Sequence, residues 1–155
     1  MVKLKCLDFK GVTNQERVKF VESKLGCKFP QSYINCIKNC DGCTPVNSDF
    51  KYFDSFFKKE RESGIGIFLS LNNSENSELL NTFTNPPEFF PEGLVAFADT
   101  GGGDFICFDY RNDKNQMDPP VVYWFHEADI GQDVSFVAHN FEEFLSILEE
   151  PNNEE

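Results

Sequence analysis

The sequence predicts an α+β domain with a largely antiparallel central sheet, packed by two N-terminal helices and a C-terminal helix. Three observations lead to this fold class. Apolar residues at helical spacing come first, short apolar strands separated by turn residues follow, and a helical pattern closes the chain. The 155 residues suit one domain, and 18 Phe supply material for its core. We assign residues 1–150 to this domain and 151–155 to a frayed tail.

The first helix is predicted from a capping box followed by an apolar stripe. Thr13 can cap the backbone at Glu16, and the Glu16 carboxylate can reach back. Val18 and Val21 follow at helical spacing, and Gly26 suits the end of the helix because glycine readily adopts a left-handed conformation.

The second helix is predicted to begin at Pro30, which is favoured at a first helical position. Its apolar stripe runs from Tyr33 to Cys40, and Asp41-Gly42 ends it. Residues 50–57 are aromatic and irregular, and their pattern predicts no particular element. Residues 66–71 are predicted as a strand, and residues 73–82 as a short helix capped by Asn73 or Ser74.

A regular strand meander is predicted for the second half of the chain. Its strands cover residues 94–98, 104–110, 121–125 and 134–138, and Asn140 caps a final helix. The first two strands are joined by the glycine-rich turn 99–103. Its consecutive glycines match neither of the common phosphate-loop spacings, and acidic residues flank them, so we interpret it as a hairpin turn rather than a nucleotide site.

The charge of the chain restricts its partners. The formal net charge is −12, which argues against nucleic acid and against anionic membranes, because both are bound through Lys and Arg. Residues 1–28 carry a net +4, so the acidic charge is concentrated later in the chain. A basic protein partner fits this sign, although solubility alone would also explain it. An edge strand of the meander also leaves a homodimer open.

The six cysteines do not form the dense framework of a small secreted domain. Since neither a secretory signal nor a membrane-length apolar segment is visible, we expect a cytoplasmic protein with reduced thiols. Cys36, Cys40 and Cys43 have a spacing that resembles metal ligation, but neither histidine is near enough in sequence to complete a four-ligand set. We therefore interpret these thiols as small apolar groups and predict no metal and no cofactor.

His126 is the candidate for an alternative function as a small hydrolase. It would need a nucleophile, for which Ser70, Ser135 and Cys107 are available, but no local signature marks any of them. We predict no catalytic residues.

The functional surface that we prefer is acidic and aromatic. Carboxylates flank the glycine-rich turn and recur in the connection between the last two strands, where they can attract a basic protein. Aromatic side chains among such charges typically provide affinity. The predicted partner-binding residues are Asp99, Asp104, Asp109, Tyr110, Glu127, Asp129 and Asp133.

The order of several short segments resembles the SUKH superfamily in its Smi/Knr branch. The resemblance runs from about Thr13 to Leu148. Its segments are Lys24-Leu-Gly26, Phe29-Pro-Gln-Ser-Tyr33, Asn39-Cys-Asp-Gly42, Gly93-Leu-Val-Ala-Phe-Ala-Asp-Thr-Gly-Gly-Gly-Asp104, Phe108-Asp109, Val121-Val-Tyr-Trp-Phe-His126 and Val137-Ala-His-Asn-Phe-Glu-Glu-Phe-Leu145. The cysteines at the end of the second helix are not part of the family pattern.

This resemblance implies an α+β domain that acts by binding rather than by catalysis. Many members are bacterial immunity proteins that neutralise a toxin domain, often a nuclease, made by the same or a neighbouring cell. We therefore expect stoichiometric binding of a cognate toxin. The family also includes eukaryotic regulators of cell-wall assembly, so a regulatory interaction module without a toxin partner is the second hypothesis.

Overall fold

The computed structural model describes residues 4–72 and 77–151, and within them the chain forms four helices and nine strands. The helices are α1 (Gln15–Leu25), α2 (Gln31–Ile37), α3 (Glu78–Thr84) and α4 (Phe141–Ile147). The strands are β1 (Cys6–Asp8), β2 (Thr44–Pro45), β3 (Asp49–Asp54), β4 (Lys59–Gly64), β5 (Ile67–Phe68), β6 (Leu94–Asp99), β7 (Phe105–Asp109), β8 (Val121–Trp124) and β9 (Val134–Ala138).

The centre of the fold is a five-stranded antiparallel sheet in the order β5-β6-β7-β8-β9. The predicted α+β fold class is therefore confirmed. Phe105 pairs with both Asp99 and Trp124, and Trp124 pairs with Val134. This register places the β6–β7 turn and the β8–β9 connection at the same end of the sheet.

Two smaller strand pairs flank the sheet. The aromatic residues 50–57, for which the sequence predicted no element, form β3 and the turn that leads into β4. This hairpin lies beside β9, where the Ser55 backbone N–H donates to the Ser135 hydroxyl at 2.8 Å. At the other end of β3, Asp49 and Glu149 form a two-residue antiparallel bridge.

The core lies between the sheet and the helices and is built largely from aromatic rings. Phe97 on β6 is fully buried and stacks on Phe108 at a centroid distance of 4.3 Å. Tyr33 from α2 and Phe141 from α4 meet this pair edge-on. Offset and edge-on arrangements suit the charge distribution of aromatic rings, so the packing is specific as well as apolar.

The helix boundaries correct two predictions about caps. Asn14 rather than Thr13 caps α1, accepting a hydrogen bond from the Arg17 backbone N–H, while Thr13 is buried. Gly26 ends α1 with φ 76° as predicted. The helix predicted over residues 73–82 forms at Glu78–Thr84 and is capped by Ser77, while Asn73 and Ser74 lie outside the described residues.

The expectation of reduced thiols is wrong for two cysteines. Cys6 and Cys43 form a disulfide, with their Cα atoms 5.7 Å apart. The spacing of the cysteines did not predict this disulfide, because its two residues are 37 positions apart in the sequence and are brought together only by the pairing of β1 with β2. Cys107 is buried in β7.

Candidate partner-binding surface

Five of the seven predicted partner-binding residues come together at one end of the sheet. Asp99 and Asp104 flank the β6–β7 turn, and Glu127, Asp129 and Asp133 belong to the β8–β9 connection. The sheet register brings these two segments side by side. The other two residues lie at the opposite end of β7, so the seven do not form one surface.

Asp104 joins the two segments. Its carboxylate accepts hydrogen bonds from the His126 backbone N–H at 3.0 Å and from the Tyr123 hydroxyl at 2.6 Å, and it contacts His126 Nδ1 at 2.5 Å. Burial and this hydrogen bond raise the pKa of Tyr123 to about 12. The Asp104 side chain is only 14% exposed, so its main role is internal.

Asp99 and Asp133 also serve the fold. Asp99 accepts a hydrogen bond from the Ile67 backbone N–H at 3.1 Å, and burial raises the pKa of its carboxyl. Asp133 is 8% exposed and accepts a hydrogen bond from the Trp124 indole at 3.1 Å. These two carboxylates support the surface from within and offer little of it to a partner.

Glu127 and Asp129 are the carboxylates of this end that face solvent. The Glu127 side chain is 71% exposed, and its carboxylate lies 3.5 Å from His126 Nε2. Between them and Asp133 stands Ile130, an apolar side chain that is 77% exposed. An exposed aliphatic side chain therefore lies among exposed carboxylates on this connection.

An aromatic cluster adjoins this connection and was not anticipated from the sequence. Phe56 and Phe57, from the β3–β4 turn, pack on Phe125 at centroid distances of 5.8 and 5.7 Å. Phe57 is partly exposed, and the Arg61 guanidinium lies 4.2 Å from its ring centroid. We call the set Phe57, Asp104, His126, Glu127, Asp129 and Ile130 the acidic–aromatic end.

Asp109 and Tyr110 do not belong to the acidic–aromatic end. Asp109 makes a two-point ion pair with Arg111, with distances of 2.9 and 3.0 Å, and these hydrogen bonds raise the pKa of the guanidinium. Tyr110 is 4% exposed, and its hydroxyl donates to the Lys28 carbonyl at 2.5 Å. Tyr110 is therefore not available as a surface anchor, since its side chain belongs to the buried core.

The geometry around His126 bears on the hydrolase alternative. In the described part of the chain, the polar partners of its ring are the carboxylates of Asp104 and Glu127. The candidate nucleophiles are engaged elsewhere: Ser70 bonds Asp41, Ser135 bonds Ser55, and burial raises the pKa of the Cys107 thiol well above its ordinary value. Within the described residues, this arrangement positions the β8–β9 connection and brings none of the three candidate nucleophiles into hydrogen-bond contact with the histidine ring.

Comparison with known proteins identifies the family of this chain. Residues 13–147 match the SMI1 / KNR4 family (SUKH-1). The chain belongs to this family. As a SUKH-1 domain, it is also similar to the SPbeta prophage-derived uncharacterized protein YokK of Bacillus subtilis (strain 168). The two are 26% identical over 160 residues, which cover 92% of this chain and 79% of YokK.

In this SUKH-1 domain, the segments that carry the family resemblance form the scaffold around the surface. Residues 93–104 form β6 and its turn, and residues 121–126 form β8 up to His126. The exposed residues Glu127 to Ile130 follow immediately after them. Across residues 4–72 and 77–151, no helix is long and apolar enough to cross a membrane.

Proposed function

We propose that this protein is an immunity protein that binds and neutralises a cognate nuclease-type toxin domain through the acidic–aromatic end. Inhibition follows from one-to-one binding that blocks the toxin, without turnover. The observation that carries the proposal is the joint exposure of Glu127, Asp129 and Ile130 on one connection of the sheet.

Charge complementarity supports this partner class. A nuclease must hold phosphates, so its substrate-binding surface is basic. The net charge of −12 attracts such a surface and disfavours nucleic acid itself. Exposed carboxylates at the rim of an interface mainly accelerate association, while apolar side chains at its centre slow dissociation.

The rigidity of the surface also supports the proposal. Asp104 fixes the start of the β8–β9 connection to the β6–β7 turn, and the Phe125 backbone N–H closes the loop by donating to the Asp133 carbonyl at 2.8 Å. A loop that is ordered before binding loses less conformational entropy when the partner arrives, so affinity is gained without further contacts.

Family membership gives the remaining support. SUKH-1 proteins act as immunity or regulatory proteins through protein–protein interaction. The relative YokK is a prophage-derived protein.

The test begins with capture of the partner by the tagged protein from lysate of its source, at low and then high salt. We expect one stoichiometric basic protein that is released by salt. Expressed alone in a bacterial host, this partner should be toxic, and co-expression of the present chain should restore growth. A stable partner without toxicity would overturn the immunity function in favour of a regulatory interaction module.

Kinetics on the purified pair then locate the surface. Glu127→Lys combined with Asp129→Lys should reduce the association rate and weaken its salt dependence, whereas Ile130→Ser should raise the dissociation rate. The matched controls are Glu149→Lys combined with Glu150→Lys, two exposed acids after α4, and Met117→Ser, an exposed apolar residue on the β7–β8 loop. Variants that behave like their controls would show that the surface lies elsewhere.

A further inference from the structure

Three cysteine sulfur atoms meet beside the end of α2. The Sγ atoms of Cys6, Cys40 and Cys43 all lie within 4.8 Å of one another, and those of Cys6 and Cys40 are 3.1 Å apart. The sequence spacing of Cys36, Cys40 and Cys43 resembled metal ligation, but we predicted no metal there. The fold instead brings Cys6, from β1, to the Cys40-Asp-Gly-Cys43 turn, which explains why spacing alone did not identify the group.

We propose that, when its cysteines are reduced, this chain binds one thiophilic divalent cation, Zn²⁺, through Cys6, Cys40 and Cys43. Thiolates are the ligands that such cations prefer, and three of them leave one position of a tetrahedral ion open. Cys36 lies one helical turn before Cys40 and outside the group of three. The fourth position therefore falls to solvent water.

The two states of the cluster are related by balanced chemistry. In the oxidised state, Cys6 and Cys43 form a disulfide, and Cys40 is a free thiol. A dithiol reductant supplies two electrons and two protons, which convert the disulfide to two thiols while the reductant forms its own disulfide. Binding of Zn²⁺ then displaces the protons of all three thiols and forms three Zn–S bonds.

The turn between two of the ligands is fixed before any ion binds. Gly42 has φ 67°, a left-handed conformation that turns the chain from Cys40 back to Cys43. Asp41, fully buried, anchors the turn from behind by accepting hydrogen bonds from the Ser70 hydroxyl at 2.7 Å and from the Asn72 backbone N–H at 2.9 Å. Ligands on a backbone held in this way lose little freedom when they bind a metal.

The third ligand is also held in place by the fold. β1 pairs with β2, with Cys6 opposite Pro45, and the Val46 backbone N–H donates to the Lys5 carbonyl at 2.8 Å. Cys43 is fully buried, whereas Cys6 and Cys40 are half-buried. An ion can therefore enter from the side of Cys6 and Cys40. Either the disulfide or the zinc ion ties β1 to the Cys40-Asp-Gly-Cys43 turn, so the N-terminal strand stays attached under both oxidising and reducing conditions.

The test uses Co²⁺ as a spectroscopic probe on the reduced full-length protein without oxygen. We expect one equivalent of Co²⁺ to give the ligand-field bands of tetrahedral coordination together with thiolate-to-cobalt charge-transfer bands, and Zn²⁺ to displace it. Zn²⁺ should also raise the melting temperature of the reduced protein. Absence of these bands from the reduced protein would overturn the proposal.

Variants assign the ligands. Cys6→Ser, Cys40→Ser and Cys43→Ser should each lose stoichiometric binding, while Cys27→Ser and Cys36→Ser should retain it, and circular dichroism should show that each variant is folded. Retention in Cys40→Ser, or loss in Cys36→Ser, would overturn the three-ligand assignment. The oxidised wild-type protein is a control that requires no substitution. It should bind no Co²⁺, because two of the three ligands are in the disulfide. Equal binding of Co²⁺ in the oxidised and reduced states would contradict the site.

Discussion

The carboxylate of Asp104 holds His126 at two points, the backbone N–H at 3.0 Å and ring Nδ1 at 2.5 Å. The same carboxylate accepts the Tyr123 hydroxyl, which also accepts a hydrogen bond from Ser63 on β4. One largely buried side chain thus connects the β6–β7 turn, β8 and, through Tyr123, the β3–β4 hairpin. The exposed residues Glu127 and Asp129 follow directly after His126, the last residue that Asp104 holds.

Replacement of this carboxylate should loosen the surface. Asp104→Ala should lower the free energy of unfolding by about 2 kcal/mol, because hydrogen bonds to a charged group contribute roughly 1.5–3 kcal/mol each and the loop relaxes in part. Glu127→Ala, next to His126 but exposed, should change it by less than about 0.5 kcal/mol. Urea unfolding followed by the fluorescence of the single Trp, Trp124, measures both. Equal effects would contradict the structural role of Asp104.

The glycines of the β6–β7 turn should differ in their tolerance of alanine. Gly103 has φ 99°, and an added Cβ would lie 3.0 Å from His126 Cε1, on a ring that Asp104 prevents from moving. Gly101 has φ 84° with open space around it, and Gly102 has neither a strained φ nor a close neighbour.

We therefore expect graded losses of stability in this turn. Gly102→Ala should have little effect, Gly101→Ala should cost about 1 kcal/mol from backbone strain alone, and Gly103→Ala should cost clearly more. The free energy of unfolding in urea measures all three. Equal costs at positions 101 and 103 would show that the His126 ring is free to move aside.

The strand meander could be predicted from sequence because its signals are local. Val134–Ala138 forms as predicted, and the strands predicted over 94–98, 104–110 and 121–125 shift by only one residue at either end. Short apolar runs that are buried on both faces, bounded by glycine and polar loops, determine such strands without information from the rest of the chain. The glycine turn and the Asn140 cap depend on backbone chemistry that is equally local.

The candidate site was predicted less completely because its contacts are long-range. Asp104 and Asp133 have the same residue type as the exposed Asp129. Only the folded structure shows that their carboxylates accept hydrogen bonds from side chains of β8 instead of facing a partner. Phe57 reaches Phe125 from 68 positions earlier in the sequence. The burial of Tyr110 could have been inferred, since it follows Phe108 by two positions and therefore shares its face of the sheet.

The Glu143 carboxylate, in the first turn of α4, should make a pH-dependent contribution to the stability of the fold. The Glu143 carboxylate accepts a hydrogen bond from the His139 backbone N–H at 2.5 Å, while Asn140 Oδ1 accepts one from the Glu143 backbone N–H. The His139 backbone N–H, and then its ring, lower the pKa of Glu143 in the folded protein. A lowered pKa stabilises the fold above the unfolded value of about 4.3, and this contribution is lost as the pH falls through the folded value.

Glu143→Gln should therefore reduce the free energy of unfolding at pH 7, and the difference from wild type should shrink as the pH falls below about 4. Glu142→Gln, on the same helix turn but without the bond to His139, is the matched control. Urea unfolding at a series of pH values measures both variants. A Glu143→Gln deficit that stays constant from pH 7 to pH 3 would mean that its charge has no part in the cap.

Two buried tyrosines should respond oppositely to loss of the hydroxyl. Tyr33 is fully buried among Phe29, Phe108 and Phe141, and within the described residues its hydroxyl has no hydrogen-bond partner. A buried polar group without a partner destabilises the fold, so Tyr33→Phe should leave the free energy of unfolding unchanged or raise it by up to about 1 kcal/mol.

Tyr110 is the matched comparison, since its hydroxyl donates to the Lys28 carbonyl and Tyr110→Phe keeps the ring. This variant should lower the free energy of unfolding by about 1 kcal/mol, because the Lys28 carbonyl loses its donor. Urea unfolding of both variants under one set of conditions gives the difference directly. If Tyr33→Phe destabilises as much as Tyr110→Phe, the Tyr33 hydroxyl must be bonded to a buried water, and the core beside α2 is then hydrated rather than dry.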